Sequence, residues 1–381
     1  MASYSLAALR LAPTELVIVQ PTTLCNLNCE YCFLPLRKDN LTLAVADLQT
    51  IFSNLTYDRL LRPKTTVCWH LGEPTVLPIE YYREAQAIIR QACPDVRFRF
   101  TIQTNGTRIT NDWCSFFIEE AMTVGISFDG DDFDNNRRKD RGGSSSFTRV
   151  RDGLARLQHN NVDYYVIAVL SKPVLTKPHS FYRFFKDLRV KQLCLNVVES
   201  EGGGIPPFLA DDSVFGLISD FYGELWQIVA SDPDPIWIRE IDHSQQAIVA
   251  GKDGVSSAQE MTAGRILTIL WNGDTLPYTP GFATLKRREL ERFTIGNLIS
   301  SPLSLGRNDA NCKFLDEAVS QLYRQCAEHC DYFSVCGGGS PAHRWAEFGH
   351  FDEHVTRTCQ ASIQARMRGV VSSMRQRLSA L

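Results

Sequence analysis

Three cysteines stand close together near the start of the chain in the spacing Cys-x3-Cys-x2-Cys. They are Cys25, Cys29 and Cys32, and they follow a short apolar run over residues 16–19. Three thiolates on one compact loop can hold three irons of a [4Fe–4S] cube and leave the fourth iron open for a small ligand. A zinc site, or cysteines that only pack in the interior, would also fit this spacing. The loop is therefore a candidate metal or redox centre.

A second group of cysteines lies in the last quarter of the chain and consists of Cys326, Cys330, Cys336 and Cys359. Four thiolates complete a tetrahedral zinc site or a fully ligated [4Fe–4S] cluster equally well, so spacing does not choose between them. The two groups contain seven of the 12 cysteines. In a long chain whose start lacks the pattern of an export signal, we interpret such groups as metal ligands rather than disulfides.

Composition excludes some classes of function. The chain has 381 residues, 44% of them hydrophobic, which is enough for two or three folded domains. A formal net charge of −3 supplies no strong basic field, so we expect no nucleic-acid partner. The sequence contains no apolar run close to the ~18 residues of a membrane span, so we expect a cytoplasmic protein with no membrane partner.

Apolar runs alternate with helical spacing through the first half of the chain. The predicted strands are residues 16–19, 66–70, 96–102, 124–128, 164–170 and 192–198. The predicted helices begin at Thr42 as N-cap and then cover 81–90, 112–121, 147–157 and 179–188. Six β-then-α units predict parallel strands with right-handed crossovers. Since eight units would be needed to close a full barrel, we predict an α/β fold with an open, partial (β/α)6 barrel.

Barrels of this kind carry their chemistry on the loops that follow the strands. Besides the cysteine loop, the candidates are Gly72, Glu73 and Pro74 after the second strand, Asn105 after the third, and Ser127 and Asp129 at the end of the fourth. Glycine permits a ligand to approach the backbone closely. Gly-Glu-Pro could instead be a plain turn, and the other residues could be ordinary polar residues at strand ends.

The second half of the chain has a different sequence pattern. A glycine- and proline-rich run over residues 201–207 marks the end of the barrel. Residues 212–230 form an amphipathic pattern typical of a bridging helix, and residues 266–278 predict a β-hairpin with an Asn-Gly turn. We therefore predict a barrel over residues 1–200, a linker with bridging helices over 201–265, and a C-terminal domain over 266–381.

The first cysteine loop, with an aromatic residue just before its last cysteine, resembles the signature of radical S-adenosylmethionine (SAM) enzymes. The resemblance implies a [4Fe–4S] cluster on Cys25, Cys29 and Cys32 that cleaves bound SAM to a 5′-deoxyadenosyl radical. Gly72-Glu73-Pro74 resembles the family's Gly-Gly-Glu-Pro segment, whose backbone binds the SAM amino group, although Leu71 replaces the first glycine.

Further residues acquire roles through the same resemblance. Asn105 and Ser127 match positions that line the SAM pocket, and Asp129 matches one that faces the substrate, which makes it a candidate catalytic residue. The basic, glycine-rich segment 137–146 resembles a stretch of related enzymes in which an arginine, here Arg141, meets the SAM carboxylate. A solvated loop ahead of a helix is the ordinary interpretation of such a segment.

The C-terminal cysteines, with the Gly-Gly-Gly-Ser-Pro run after Cys336, resemble the SPASM-type domain of radical SAM enzymes that modify peptides. Relatives with two auxiliary clusters carry cysteines at two positions where this chain has Tyr278 and Ser340. The resemblance therefore implies one auxiliary [4Fe–4S] cluster, whose role is either redox or structural.

Across about residues 15–360 the chain looks most like maturases of glycine-rich-repeat peptides and three-residue cyclophane-forming enzymes. These crosslink an aromatic side chain to the β-carbon of a nearby residue in a ribosomal precursor peptide, with electrons from a flavodoxin- or ferredoxin-type donor. The alternatives are formylglycine formation as in anaerobic sulfatase maturases, another peptide modification such as thioether formation, and a binding module without turnover. Possible catalytic bases are Glu199, Asp129 and Tyr278.

Overall fold

The computed structural model describes residues 10–200, 202, 204–251, 254 and 258–379, and ten strands within these residues form one sheet. The strands are β1 (Thr14–Val19), β2 (Leu61–Trp69), β3 (Arg97–Thr104), β4 (Thr123–Ser127), β5 (Tyr164–Leu170), β6 (Gln192–Val197), β7 (Trp237–Ile238), β8 (Ile266–Ile269), β9 (Asp274–Leu276) and β10 (Gly296–Asn297). Their order across the sheet is β10-β9-β8-β1-β2-β3-β4-β5-β6-β7. All pairs from β8 through β1 to β7 are parallel, whereas the pairs β8–β9 and β9–β10 are antiparallel.

Helices connect and cover the strands. The longer ones are α1 (Asp47–Tyr57), α2 (Ile79–Ala92), α3 (Asn111–Glu119), α5 (Phe147–His159), α7 (Pro178–Asp187), α9 (Ser213–Ser231), α10 (Arg239–Ala250), α13 (Asp309–His329), α15 (Pro341–Phe348) and α17 (Arg366–Ser379). The short ones are α4 (Asp132–Asn135), α6 (Lys172–Leu175), α8 (Pro207–Ala210), α11 (Arg287–Leu290), α12 (Leu303–Gly306), α14 (Phe333–Cys336) and α16 (Arg357–Cys359). A π-helix, Gln360–Ala365, lies between α16 and α17.

The six predicted strands correspond to β1–β6, which lie side by side in chain order and pair in parallel. The apolar run of β1 is buried on both faces, since Val17 and Val19 on one face and Ile18 on the other are all enclosed. These pairings confirm the predicted open α/β sheet. The predicted start of the first helix is wrong, because α1 begins at Asp47 and Thr42 instead forms a β-bridge with Thr22 beside the cysteine loop.

The predicted hairpin is present and extends the sheet. Strands β8 and β9 pair antiparallel around a turn in which Gly273 has φ +86°. Strand β8 also pairs in parallel with β1, with Leu16 opposite Ile266 and Val19 opposite Ile269. The sheet is thus continuous across the predicted domain boundary at residue 265, and the three-unit division stays a prediction. In the predicted unit over 201–265, residues 201, 203, 252, 253 and 255–257 lie outside the described residues.

The C-terminal helix α17 packs along α9. A Cβ atom added at Gly369 would lie 1.9 Å from the carbonyl oxygen of Ser219, so the two helix backbones approach more closely than a side chain there would allow. This close packing places the start of α17 beside the middle of α9. Among the helices that the structure describes, none is both long and apolar enough to cross a membrane.

Candidate active site

A cavity of about 320 Å³ lies where the predicted site loops meet, after the carboxyl ends of the central strands. Its lining includes Cys25, Cys29, Tyr31, Cys32, His70, Gly72, Glu73, Asn105, Ser127, Arg138 and Glu199. The structure therefore brings together most of the site residues expected from the sequence. Pro74 lies just behind this lining, while Asp129 and Arg141 occupy other positions described below.

Two arginines hold the cysteine loop in shape. The Arg141 guanidinium donates to the carbonyl oxygen of Cys25 at 2.7 and 3.1 Å and to that of Arg37 at 2.8 Å. Arg37 in turn donates to the carbonyl oxygen of Cys32 and to Asn28 Oδ1. The position of Arg141 therefore does not support the expected contact with the SAM carboxylate, because its guanidinium binds backbone carbonyl oxygens on the outside of the loop.

The three thiols fit an iron–sulfur cluster by their number and surroundings. Burial, with the nearby Glu73 carboxylate, raises the pKa of Cys25 to about 12, and burial also raises the pKa of Cys29. Bound metal cations would supply the positive charge that thiolates at such sites need. No other cysteine lines this cavity, so three protein ligands would leave one iron of a cube open.

The structure does not preform a site for a single metal ion. In the part of the chain that it describes, no group of three or more His, Cys, Asp or Glu side chains is arranged to hold one ion. A [4Fe–4S] cube makes a different demand, because each thiolate binds a separate iron at a separate corner.

The turn after β2 is built around Glu73, which is 1% exposed. Its Oε1 accepts hydrogen bonds from the Thr75 backbone N–H at 2.9 Å, and from the hydroxyls of Thr75 and Thr104 at 2.6 Å each. Leu71 and Gly72 precede it with φ +65° and +73°. Leu71 thus adopts the left-handed conformation that suits the glycine it replaces, at a cost of about 1–2 kcal/mol.

Asn105 connects this turn to the cysteine loop. Its side-chain N–H donates to Asn26 Oδ1 at 2.8 Å and lies 3.9 Å from the sulfur of Cys25. Its Oδ1 accepts from the backbone and hydroxyl of Thr107 at 3.0 and 2.7 Å. Ser127, on the next strand, accepts from Gln103 Nε2 at 3.0 Å and also lines the cavity.

Asp129 lies behind Tyr31 and is 2% exposed. Its Oδ2 accepts from the Tyr31 hydroxyl at 2.6 Å, and its Oδ1 accepts from the Val169 N–H at 3.1 Å. Burial raises the pKa of Asp129, opposed by Arg138 and the Tyr31 hydrogen bond. This geometry makes Asp129 a residue that positions Tyr31, and its predicted catalytic role stays a prediction.

Arg138 is the arginine on the cavity wall. It is 7% exposed, it donates to the Tyr31 hydroxyl at 2.5 Å, and its Nε is buried without a hydrogen-bond partner. The sequence showed four basic residues within five positions, at 137–141, and nothing in that run distinguishes the one that turns inward. Its contacts with the Tyr31 hydroxyl and with the Asp129 carboxylate, 3.9 Å away, do so.

Glu199 follows β6 and is paired with a residue that the sequence did not indicate. His343 Nε2 lies 3.4 Å from Glu199 Oε2. Burial raises the pKa of Glu199, but His343 and Arg239 outweigh this and hold it below its usual value. His70, directly before Leu71, is another missed cavity residue; burial lowers its pKa to about 4, and its place after β2 was the available signal.

The second cysteine group also comes together. Burial raises the pKa of Cys359 to about 12, and the sulfurs of Cys336, Cys330 and Cys326 lie near enough to raise it further. Arg344 donates to Cys326 at 3.5 Å from inside the protein. The other five cysteines are separate from both groups, and four of them are buried: Cys93, Cys114, Cys194 and Cys312. Four converging thiols beside a cation suit a closed [4Fe–4S] cluster.

Comparisons with known proteins agree with this geometry. Residues 19–175 match the Radical SAM superfamily. The chain is 29% identical to an uncharacterized protein of Synechocystis over 96% of this chain and 93% of that one. It is 26% identical to the serine-type anaerobic sulfatase-maturating enzyme of Bacteroides thetaiotaomicron, over 91% and 87%. The identity to the cysteine-type enzyme of Clostridium perfringens is 24%, over 86% and 88%.

Solved structures show the same fold. The enzyme anSMEcpe with bound AdoMet superposes with a TM-score of 0.77 at 20% identity, over 97% of this chain and 99% of that one. SuiB of Streptococcus suis, bound to its precursor peptide SuiA, gives a TM-score of 0.60 at 16% identity, over 90% and 76%. Together with the family match over residues 19–175, these likenesses confirm the predicted fold class, an α/β fold of the radical SAM type with an open, partial barrel.

Proposed function

On the basis of the match to the radical SAM superfamily, we propose that this protein is a maturase that modifies a ribosomally made precursor peptide. The observation that carries the proposal is a single cavity walled by the three-cysteine loop, the Gly72 turn and Glu199. The similarity to sulfatase-maturating enzymes, which runs along most of the chain, supports action on a peptide.

The cavity divides into a cofactor side and a substrate side. Cys25, Cys29 and Cys32 would hold the [4Fe–4S] cluster, and Gly72 backbone, Asn105, Ser127 and Arg138 would surround SAM. When bound, the cluster and SAM supply a 5′-deoxyadenosyl radical, using one electron from a flavodoxin- or ferredoxin-type donor. Arg138 suits the SAM carboxylate, because its unpaired Nε is buried at the cavity.

Glu199 is the best placed of the three candidate bases. Its carboxylate faces the cavity and is ionised at neutral pH, because its pKa is lowered. Asp129 has both oxygens occupied and lies behind Tyr31. Burial raises the pKa of Tyr278, which is enclosed in the core. Glu199 Oε would therefore accept the proton that leaves the substrate.

The finer proposal is cyclophane formation. A hydrogen atom leaves the β-carbon of one residue, that carbon bonds to an aromatic ring nearby, and the ring releases one proton and one electron. The peptide thus becomes two hydrogens lighter per ring. Cys326, Cys330, Cys336 and Cys359 would hold a cluster suited to take up the electron. Tyr278 and Ser340, both buried, support a single auxiliary cluster, because neither provides a thiolate.

Formylglycine formation is the second candidate, favoured by the similarity to sulfatase-maturating enzymes. Here a Cys or Ser side chain loses a hydrogen atom from its β-carbon, an electron and the proton on its sulfur or oxygen. Ser thereby becomes the aldehyde directly, whereas Cys becomes a thioaldehyde that takes up water and releases hydrogen sulfide. Glu199 would accept that proton as well. Both candidates therefore share one site and differ in substrate.

An assay on reconstituted protein with SAM, reductant and candidate peptides separates them. Crosslinking and serine oxidation each remove two hydrogens, so the mass of the product does not distinguish them. A hydrazide probe distinguishes the two products, because it reacts with the aldehyde of formylglycine. We expect a product two hydrogens lighter that does not react with the probe and whose fragmentation shows a crosslink. A probe-reactive product would assign formylglycine formation.

A further inference from the structure

A second cavity, of about 870 Å³, adjoins the first. It lies between the end of β6, helices α9, α10 and α17, and the segment around Cys336. The two cavities share Asn196, Val197 and Glu199 as wall residues. The two cavities therefore meet at the end of β6.

Arg366 is the unusual residue of this second cavity. It is 7% exposed, and its Nε is buried without a hydrogen-bond partner. Across the described residues, no carboxylate lies within ion-pair distance of its guanidinium. A buried and unpaired charge is costly, so a cation in this state suits a ligand that supplies the counter-charge.

The other charged groups of the cavity are engaged elsewhere. Arg239 donates to Glu240 at 2.6 Å and to Asn196 at 2.7 Å. Arg344 donates to the carbonyl oxygens of Ser340 and His354 at 2.9 Å each. These contacts leave Arg366 as the cation that no carboxylate pairs with in the described part of this cavity, whose wall also includes the cysteines Cys336 and Cys359.

The carboxylates of the cavity do not pair with Arg366 either. Glu240 also accepts from the Leu195 N–H at 2.7 Å, and Glu199 pairs with His343. Glu260 is buried near Ser340 and His343, and burial raises its pKa, which favours its neutral form. None of the three supplies a charge to Arg366.

Two neighbours complete a site for an anion. Tyr222 is 1% exposed and lines the same cavity, and its hydroxyl makes no hydrogen bond within the described residues. The π-helix Gln360–Ala365 directly precedes Arg366, and its Ser362 and Ile363 also line the cavity. Such bulges redirect side chains and are frequent at functional sites.

We propose that the second cavity binds a carboxylate of the peptide substrate through Arg366 and Tyr222, an inference that rests on the peptide-modifying function proposed above. A guanidinium and a hydroxyl together match the two oxygens of a carboxylate. Asn196, on the shared wall, contacts Arg239, and His243 follows four residues later, about 6 Å along α10. Burial lowers the pKa of His243, and the nearby guanidinium groups of Arg239 and Arg366 lower it further, so His243 lies between the shared wall and Arg366. An extended peptide advances about 3.3 Å per residue, so a few residues link the reacting position to the anchor.

Binding can be measured without turnover by calorimetry on the cluster-loaded protein. The probes are N-acetyl-glutamyl-glycinamide, its glutaminyl counterpart, and N-acetyl-glutaminyl-glycine with a free terminal carboxylate. We expect the glutamyl probe to bind at least tenfold more tightly than the neutral one. Tight binding of the free-terminus probe as well would assign the site to chain termini, and it would still support a carboxylate site.

Variants test whether the named residues carry this preference. Arg366→Gln should abolish it and Tyr222→Phe should reduce it, while Arg368→Gln, an exposed control on the same helix, should leave it unchanged. No preference in the parent protein, or a preference that survives Arg366→Gln, would overturn the proposal. A glutamyl preference in a protein that modifies no peptide would retain the site and reject the proposed function.

The melting temperature distinguishes a ligand-binding arginine from a purely structural one. Replacing a purely structural arginine would lower the melting temperature. Because Arg366 is buried and unpaired, the Arg366→Gln protein should unfold at the same temperature as the parent or a higher one. Arg344→Gln, which removes an arginine with several partners, should lower it. An equal loss of Tm in both variants would contradict the ligand-binding role of Arg366.

Discussion

The carboxylate oxygen Oε2 of Glu73 accepts the backbone N–H of Asn105 at 2.7 Å. This bond joins the loop after β2 to the loop after β3, and Asn105 then reaches the cysteine loop through Asn26. One buried carboxylate thus sets the relative positions of three loops around the cavity. Its other oxygen accepts three more hydrogen bonds, so Glu73 organises the loops around the cavity that Gly72 lines.

Replacing Glu73 with Gln should weaken both the fold and SAM binding. The amide N–H₂ would have to face either the Asn105 N–H or the three donors on the other oxygen, so at least one donor loses its acceptor. We expect the free energy of unfolding to fall by about 2 kcal/mol and SAM affinity to fall about tenfold. Urea denaturation and equilibrium dialysis measure these effects. Glu80→Gln, on the exposed start of α2, is the control, and equal effects in both variants would contradict this role.

Replacing Arg138 with Gln and replacing Arg141 with Gln should have different effects on SAM affinity and on iron release. Arg138 lines the cavity, so its loss should reduce SAM affinity in cluster-loaded protein. Arg141 holds the carbonyl oxygens of Cys25 and Arg37, so its loss should speed iron release to a chelator without changing SAM affinity per cluster. Dialysis with labelled SAM and timed iron release measure the two effects. The assignment is wrong if Arg141→Gln weakens SAM binding as much as Arg138→Gln does.

The pH dependence of product formation should report the Glu199–His343 pair. The base acts in its ionised form, and its pKa is lowered, so activity should be constant through neutral pH and decline only below about pH 4.5. In His343→Gln a lowering influence is gone and burial still raises the pKa, so the decline should move toward neutral pH. The ratio of product to 5′-deoxyadenosine, measured against pH, tests this. The exposed His179→Gln should keep the parent profile. An unchanged profile in His343→Gln would exclude Glu199 as the base.

The sheet could be predicted from the sequence more completely than the site. Each of strands β1–β6 carried its own apolar run, so local pattern was enough to predict its existence. The start of β2 was missed, because the strand begins at Leu61 and its next three residues, two of them charged, are exposed, whereas the prediction began at Thr66. The pairing of β8 with β1 joins residues about 250 positions apart, and no local signal encodes it. The bridge between Thr42 and Thr22 likewise joins residues 20 positions apart, and it keeps Thr42 out of α1, which begins at Asp47.

Site residues with a motif were predictable, and those defined by a partner were not. Cys25, Gly72 and Asn105 stand in recognisable spacing after strands. The inward turn of Arg138 depends on Tyr31, and the pairing of His343 with Glu199 depends on how α15 packs against the end of β6. Arg366 has no sequence signal at all, because a π-helix directs it.

The second cysteine group should be dispensable for SAM cleavage and required for product. All four of its ligands are protein thiols, so a cluster there would have no open iron for SAM. We expect about eight irons per reconstituted chain, and about four in Cys330→Ala. This variant should still form 5′-deoxyadenosine while making no modified peptide. Crosslinked peptide at the parent rate, from a folded variant shown to lack the second cluster, would leave that cluster a structural role only.

Formation of 5′-deoxyadenosine by cluster-loaded protein with SAM and a strong reductant tests the central claim most directly. The parent should form it, and Cys29→Ala should form none, because the cluster loses one of its three ligands. Cys312→Ala, which removes a buried cysteine outside both groups, should match the parent. Deoxyadenosine produced by Cys29→Ala, or lost equally from Cys312→Ala, would contradict a SAM-cleaving centre on the loop from Cys25 to Cys32.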